Sequence, residues 1–552
     1  MAEARAFPVA EPETLRMTTR DGAVLVADLY GPIGAGACPV LLMRQPYGRR
    51  IASTVVLAHP AWYAARGYRV VVQDVRGRGE SGGEFCVLES EAADGAEALA
   101  WAADLAGGTG QVATYGFSYQ AMTQLLALAG ASRAGTKRPD AIVPAMGAWS
   151  VRDDWAFEGD AFRLADSQGW ACQVGAESAR LAGDRPAFAA LAAAGRGAPW
   201  TGPDPARPEV LSLHGAHVPH YARWLADDPE AWAVAAPMRA LAGDPLDVPG
   251  LFTGGWLDGM LEGTLAMHAA FRAAGRAPQR LLVGPWPHMP WNGAAGGLPL
   301  GDEAASPLDG ETVRFLDHSL RGEGEAGPAV RLFDLLARRW RDFAAFPAPD
   351  PTALHLVSSG RAAASIADGR LSEAPVAAAT DRLVHDPWRP APAVGGHHGR
   401  PGGFQDRAEV DRRGDVATYT GAPLARALDL AGPVAAELSV ACDRPSHDLH
   451  CALSVLLPDD ARAIVLTTGH RRVADAAAPG QRRVGMRATC ATLPAGARLR
   501  LSVQAAAVPA FAVNFGTGAR PEDADPFDAR ITTLSLAHGG PAPSRLLLPV
   551  LR

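Results

Sequence analysis

Basic stripes, paired cysteines and long apolar runs are all missing from this chain of 552 residues, and each absence removes a class of protein. The formal charge is −7 and the pI near 6.1, whereas nucleic-acid binders are usually basic. The arginines are dispersed. Even Arg412-Arg413 is flanked by Asp411 and Asp415, the pattern of a solvated surface rather than a phosphate site. No nucleic-acid partner is expected. The six cysteines (Cys38, Cys86, Cys172, Cys442, Cys451 and Cys490) form no CxxC pair and no secreted-type framework, so they read as buried, reduced thiols. No stretch approaches the roughly 20 apolar residues of a membrane span. The start, Met1-Ala2-Glu3-Ala4-Arg5-Ala6, lacks the basic opening and apolar run of a signal peptide. The expectation is a soluble, cytoplasmic protein with no membrane partner.

Hydrophobic content of 48% and charged content of 20% are those of an ordinary globular protein, and the length exceeds what one core supports. Strand-like stretches at Val24 to Tyr30, Pro39 to Met43, Tyr68 to Gln73 and Val112 to Tyr115 alternate with a helical pattern from Ser90 to Ala103. Such alternation implies a largely parallel sheet covered by helices, an α/β fold. From Trp149 to Met238 alanine-rich helical segments dominate, which predicts a helical insertion over the sheet. Strands return at Val248 to Thr253 and Arg280 to Val283, with a helix from near Met260 between them. Phe346-Pro347-Ala348-Pro349-Asp350-Pro351 is a proline-rich linker. Beyond it, short alternating stretches such as Ala353 to Val357, Val434 to Val440 and Leu499 to Val503 predict an all-β sandwich.

Tyr115-Gly116-Phe117-Ser118-Tyr119-Gln120-Ala121 ends a strand and opens a small-residue helix. A serine at that junction reads as a nucleophile elbow, lifted clear of the sheet with a helix N-terminus behind it. A serine hydroxyl needs a neighbouring base, and on such a sheet the partners follow in the order Ser, acid, His. Gly254-Gly255-Trp256-Leu257-Asp258-Gly259 and Gly284-Pro285-Trp286-Pro287-His288 each follow a strand. Asp258 and His288 are therefore expected at the strand ends where sites of parallel sheets lie. His288 would deprotonate Ser118 and Asp258 would orient the imidazole. The Tyr119 backbone N–H, next after the nucleophile, is one oxyanion donor. Tyr47, in Arg44-Gln45-Pro46-Tyr47-Gly48-Arg49, is either a second donor or a packed loop residue.

Together these motifs resemble the cocaine-esterase-like (CocE/NonD) hydrolases, a group related to the Xaa-Pro dipeptidyl-peptidases and the α-amino-acid ester hydrolases. Thr19-Arg20-Asp21-Gly22, Asp74-Val75-Arg76-Gly77-Arg78-Gly79 and Phe315-Leu316-Asp317-His318 add to the match. The resemblance implies an α/β-hydrolase domain in two parts, 1–148 and 241–346, a helical cap over 149–240, and a C-terminal jelly roll over 347–552. It also implies that Tyr47 and the Tyr119 N–H form the oxyanion hole. The chain departs from the family's usual elbow, carrying Ala121 where glycine stands. The amino-acid ester hydrolases hold a substrate ammonium with acidic residues near the site. Here Gly259-Met260-Leu261 follows Asp258 and the next acid is Glu262, which leans the reading toward a neutral acyl group.

Plainer readings stand beside these. Asp258 taken alone is a helix N-cap and His288 a turn residue, although both together leave their shared context unexplained. Tryptophans are more often core than pocket; one or two of Trp149, Trp155 and Trp170 are expected to face substrate, with Met260. His397-His398 reads as a solvent loop. His214, His217 and His220 resemble a ligand set, but Pro219 interrupts any helix there, and no metal or other cofactor is expected. Gly77-Arg78-Gly79-Glu80-Ser81-Gly82 fits a dinucleotide fingerprint without the helix that should follow it. The expected function is a metal-independent serine hydrolase cleaving a small-molecule ester or amide. An Xaa-Pro dipeptidyl-peptidase and a non-catalytic binding protein are the alternatives, and monomer and homo-oligomer both stay open.

Overall fold

The computed structural model describes residues 7–552 except 52–53, 202–203, 294, 375–376, 459 and 477. Its first half begins with β1 (Glu13–Thr18), β2 (Val24–Tyr30), β3 (Cys38–Gln45), α1 (Pro60–Ala64), β4 (Arg69–Asp74), α2 (Glu91–Ala103), β5 (Gly108–Phe117), α3 (Tyr119–Ala134) and β6 (Ala141–Ala145). A hairpin of two short strands follows, β7 (Phe157–Glu158) and β8 (Ala161–Phe162). Six helices come next: α4 (Leu164–Leu181), α5 (Arg185–Arg196), α6 (Glu209–Leu213), α7 (Pro219–Leu225), α8 (Pro229–Ala235) and α9 (Pro237–Ala240). The sheet resumes with β9 (Gly250–Leu257), α10 (Leu261–Ala274), β10 (Gln279–Pro287), α11 (Leu308–Leu316), β11 (Val330–Asp334) and β12 (Arg339–Phe343).

Ten of these strands form one sheet in the order β1-β2-β4-β3-β5-β6-β9-β10-β11-β12. Its interior pairs, from β4–β3 to β10–β11, are parallel. Both faces are covered, which is why β3 reads Cys-Pro-Val-Leu-Leu-Met-Arg-Gln and is buried at every position. Helix α3 sits so deep that it buries glutamines and a threonine along with its apolar residues. Several strands run past the stretches that sequence alone marks. β5 starts at Gly108 rather than Val112, and β9 ends at Leu257 rather than Thr253. Pro219 does not break a helix but opens α7, at the one turn where a missing N–H is harmless.

The second half is all β, with an eleven-stranded sheet among the described residues whose edge strand Ala379–His385 and its neighbour Thr532–His538 alternate buried and more open positions. Its organiser is Leu428–Cys442, which pairs antiparallel with Gly480–Leu493 along one side. On the other side it pairs with Arg545–Leu548 and then Thr532–His538. One apolar core runs through both halves, from Phe252 and Trp256 through Leu332 and Leu335 to Leu430 and Leu493. Among the described residues, no helix is long and apolar enough to cross a membrane.

Candidate active site

Ser118 stands alone between the last residue of β5 and the first of α3, at φ +60° and ψ −124°. A non-glycine residue rarely holds a positive φ, and such strain gathers at functional turns. The turn is braced from both sides: the Ser118 N–H donates to the Ala145 carbonyl at 2.9 Å, and the Phe117 N–H donates to Gln120 Oε1 at 3.0 Å. Ala121 fits because its neighbour is Gly147, where an added Cβ would lie 2.7 Å from the Ala121 methyl.

Strands β9 and β10 are parallel neighbours whose register ends with Leu257 opposite Pro287. The next residues, Asp258 and His288, therefore emerge together at the sheet edge. His288 Nε2 lies 2.9 Å from Ser118 Oγ, and His288 Nδ1 lies 2.9 Å from Asp258 Oδ1. Asp258 is fully buried and the imidazole about one-third open at 33%. Burial pulls the His288 pKa down, but the Asp258 carboxylate, helped by Asp166, outweighs it and holds the ring above its usual 6.5. Asp258 is not the N-cap of α10, a place taken by Met260.

Tyr119 is the first residue of α3, so its N–H has no carbonyl to bond within the helix. Its side chain points elsewhere, accepting the Leu88 N–H and donating to Glu91, each at 3.0 Å. The Tyr47 phenol accepts the Trp170 indole N–H at 3.0 Å and sits beside the Ser118 hydroxyl. Burial raises its pKa to about 12, which keeps it a neutral donor. Arg49 anchors this loop through Asp74 at 2.7 Å and Asp28 at 2.9 Å. The glycine-rich turn after Asp74 serves the same anchor: the Arg49 and Glu80 N–H groups both donate to the Asp74 carboxylate. A carboxylate of the chain itself thus occupies donors that a dinucleotide site would offer to phosphate.

A cavity of about 880 Å³ opens on Ser118 and His288 and is lined by Trp155, Trp170 and Met260. Trp149 is not on its wall; it packs in the core with Leu241 and Val248. The all-β half supplies another wall through His397, His398 and Arg400. His397-His398 is thus not a solvent loop: His398 is 5% exposed, and its Nδ1 lies 2.6 Å from Asp166 Oδ2. Burial would raise the Asp166 pKa, but His398 and Arg400 bring it down to about 2. Arg163 and Arg487 both donate to the carbonyl of Gly259, next to Asp258, at 3.0 and 2.9 Å. Glu158 pairs with Arg487 at 2.8 Å. An added Cβ on Gly259 would lie 2.5 Å from the His398 ring, so this glycine permits the contact between the halves.

Sequence reasoning missed Asp166, Arg163, Glu158 and Arg487. They carry no local spacing, and Asp166 meets His398 across 232 positions. The three histidines of the insertion separate: His217 faces Asp184 at 3.1 Å, while His220 stands edge-on to Trp170 and Trp224. Among the described residues, no three His, Cys, Asp or Glu side chains gather where an ion could be held.

Residues 21–290 match the X-Pro dipeptidyl-peptidase (S15 family) model, and residues 323–547 match the X-Pro dipeptidyl-peptidase C-terminal non-catalytic domain. The chain is 31% identical to cocaine esterase of Rhodococcus sp. (strain MB1 Bresler) over 97% of each chain. Its fold is that of an aminopeptidase from the marine sediment archaeon Thaumarchaeota archaeon, with a TM-score of 0.82 at 20% identity over 100% of this chain and 98% of that one. An α-amino-acid ester hydrolase gives a TM-score of 0.79 at 21% identity, again over 100% and 98%. Strand-end serine, matching relatives and shared two-part architecture lead to one assignment: the chain is a hydrolase and belongs to the cocaine-esterase-like CocE/NonD family, within the S15 group.

Proposed function

We propose that this hydrolase is an esterase working through an acyl-enzyme on Ser118. The observation that carries the reading is the unbroken line of hydrogen-bond distances from Ser118 Oγ through His288 to Asp258. His288 Nε2 takes the hydroxyl proton as Oγ attacks the ester carbonyl, and the imidazolium then gives that proton to the departing alcohol. Water enters by the same route and releases the acid. Asp258 stabilises the imidazolium and fixes its tautomer. The Tyr119 N–H and the Tyr47 hydroxyl face the developing oxyanion. Helices α4 to α9 act as a cap whose Trp155 and Trp170 bound the substrate. The all-β half is a jelly roll that closes the cavity, and the divisions fall near 148, 240 and 346.

Peptidase activity is the second reading, favoured by the S15 match. An Xaa-Pro substrate brings an ammonium that needs a free carboxylate. Asp166, the acid on the cavity wall besides Asp258, has both oxygens engaged by Arg400 and His398. That favours the ester. A fluorophosphonate probe tests the nucleophile, and a 4-nitrophenyl ester beside an Xaa-Pro 4-nitroanilide tests the bond. Labelling at Ser118 with ester turnover well above anilide turnover is expected; an unlabelled protein would leave a non-catalytic binding role, and faster anilide cleavage would make it a peptidase.

A further inference from the structure

Three arginines share the cavity with Ser118: Arg163, Arg196 and Arg400. Arg163 is committed. It is 2% exposed, donates to the carbonyls of Gly259 and Trp155, and lies against Glu158. Arg400 is half exposed and gives only Nη2 to Asp166, at 3.0 Å. Arg196, the last residue of α5, is exposed, and its side chain enters no hydrogen bond or ion pair among the described residues. The two acids on the same wall are both engaged, Asp258 by His288 and Asp166 by His398 and Arg400. Asp258 is fully buried and Asp166 is held on both oxygens, so the charge left without a partner in the open part of the cavity is that of Arg196.

A second observation points the same way. His397 lines this cavity, and both of its ring nitrogens are buried without a hydrogen-bond partner. Burial, with Arg487 nearby, keeps the ring neutral, so one nitrogen carries an unused N–H. Buried polar groups left unpaired are costly unless a ligand completes them. An arginine at a helix end is often there for the helix dipole. Arg196 does more than that role asks, because it faces the same space as the nucleophile.

We infer that the cavity selects esters carrying a carboxylate remote from the scissile bond, held by Arg196 and Arg400 with His397 as a further N–H donor. The planar guanidinium fork matches a carboxylate geometrically as well as electrically. This rests on the serine-esterase reading and narrows it: sequence alone leans to a neutral acyl group, whereas these three residues select an anionic substrate.

Two pairs of probes test it: mono-(4-nitrophenyl) adipate against 4-nitrophenyl methyl adipate, and 4-acetoxybenzoate against its methyl ester. The first pair places the charge on the acyl side, the second on the alcohol side. In at least one pair the charged ester should exceed its neutral partner by about tenfold in kcat/KM. That ratio should shrink with added salt and collapse toward one in the Arg196→Gln/Arg400→Gln double variant. Turnover with no charged preference in either pair, or a preference surviving in the double variant, overturns the inference and leaves the esterase standing. If no ester turns over and fluorophosphonate fails to label Ser118, the esterase reading falls and takes this one with it.

Discussion

A serine held at a positive φ stores roughly 1–3 kcal/mol of strain, and Ser118 keeps it because Ala145 and Gln120 pin the turn. Ser118→Ala should abolish nearly all ester turnover while leaving the circular dichroism and melting curve unchanged; wild-type rates would refute the assignment. Tyr47→Phe removes one of the two proposed oxyanion donors and should lower kcat by about 100- to 1,000-fold with little change in KM. An unchanged kcat, with at most a rise in KM, would return Tyr47 to packing. As the proposed base, His288 must be neutral to act, and Asp258 holds the imidazole above 6.5. The kcat/KM profile should therefore fall as pH drops through a value above 6.5. Asp258→Asn removes the charge that raises this pKa, so the acid limb should move lower while kcat drops by about 10⁴-fold. Ser118, Asp258 and His288 are legible in sequence because each directly follows a strand in a glycine-marked turn. His398 and Asp166 are not, because no local pattern announces a partner in another half of the chain.

Elements are positioned by pairs of small residues as much as by strands. Helix α3 and the turn after β6 approach where Ala121 meets Gly147. Gly147→Ala should destabilise the protein by about 1–3 kcal/mol through overpacking and depress activity by displacing the elbow. Adding Ala121→Gly should recover most of both losses in urea unfolding and kcat, and failure of that rescue would show that Gly147 is needed for another reason. Period-two and period-3.6 patterning locates β2 to the residue, Val24–Tyr30. It cannot see a hairpin of two-residue strands such as β7 and β8, which carry too few positions for any period. Trp149 shows the same limit: residue type marks an aromatic, but only packing decides between core and cavity.

At the scale of the molecule, the two halves are joined by charge as well as by the continuous apolar core. Arg487 from the all-β half forms an ion pair with Glu158 and donates to the carbonyl beside Asp258. Arg487→Met leaves a buried carboxylate short of a partner and should cost about 3–5 kcal/mol in urea unfolding, with a fall in kcat as the Asp258 loop loosens. Unchanged stability would mean that Arg163 and His398 suffice. The division into a parallel α/β half and an all-β half is visible in sequence at the proline-rich linker. That the second half completes the cavity is not, since the contact depends on how the halves dock. The most direct measurement of the central claim is an acid-quenched reaction with 4-nitrophenyl acetate, followed by peptide mass mapping. One acetyl group on the Ser118 peptide, with a nitrophenol burst matching the enzyme concentration and neither seen in Ser118→Ala, is the expected result. Steady turnover with the acetyl group on another residue, or an undiminished burst from the alanine variant, would contradict it.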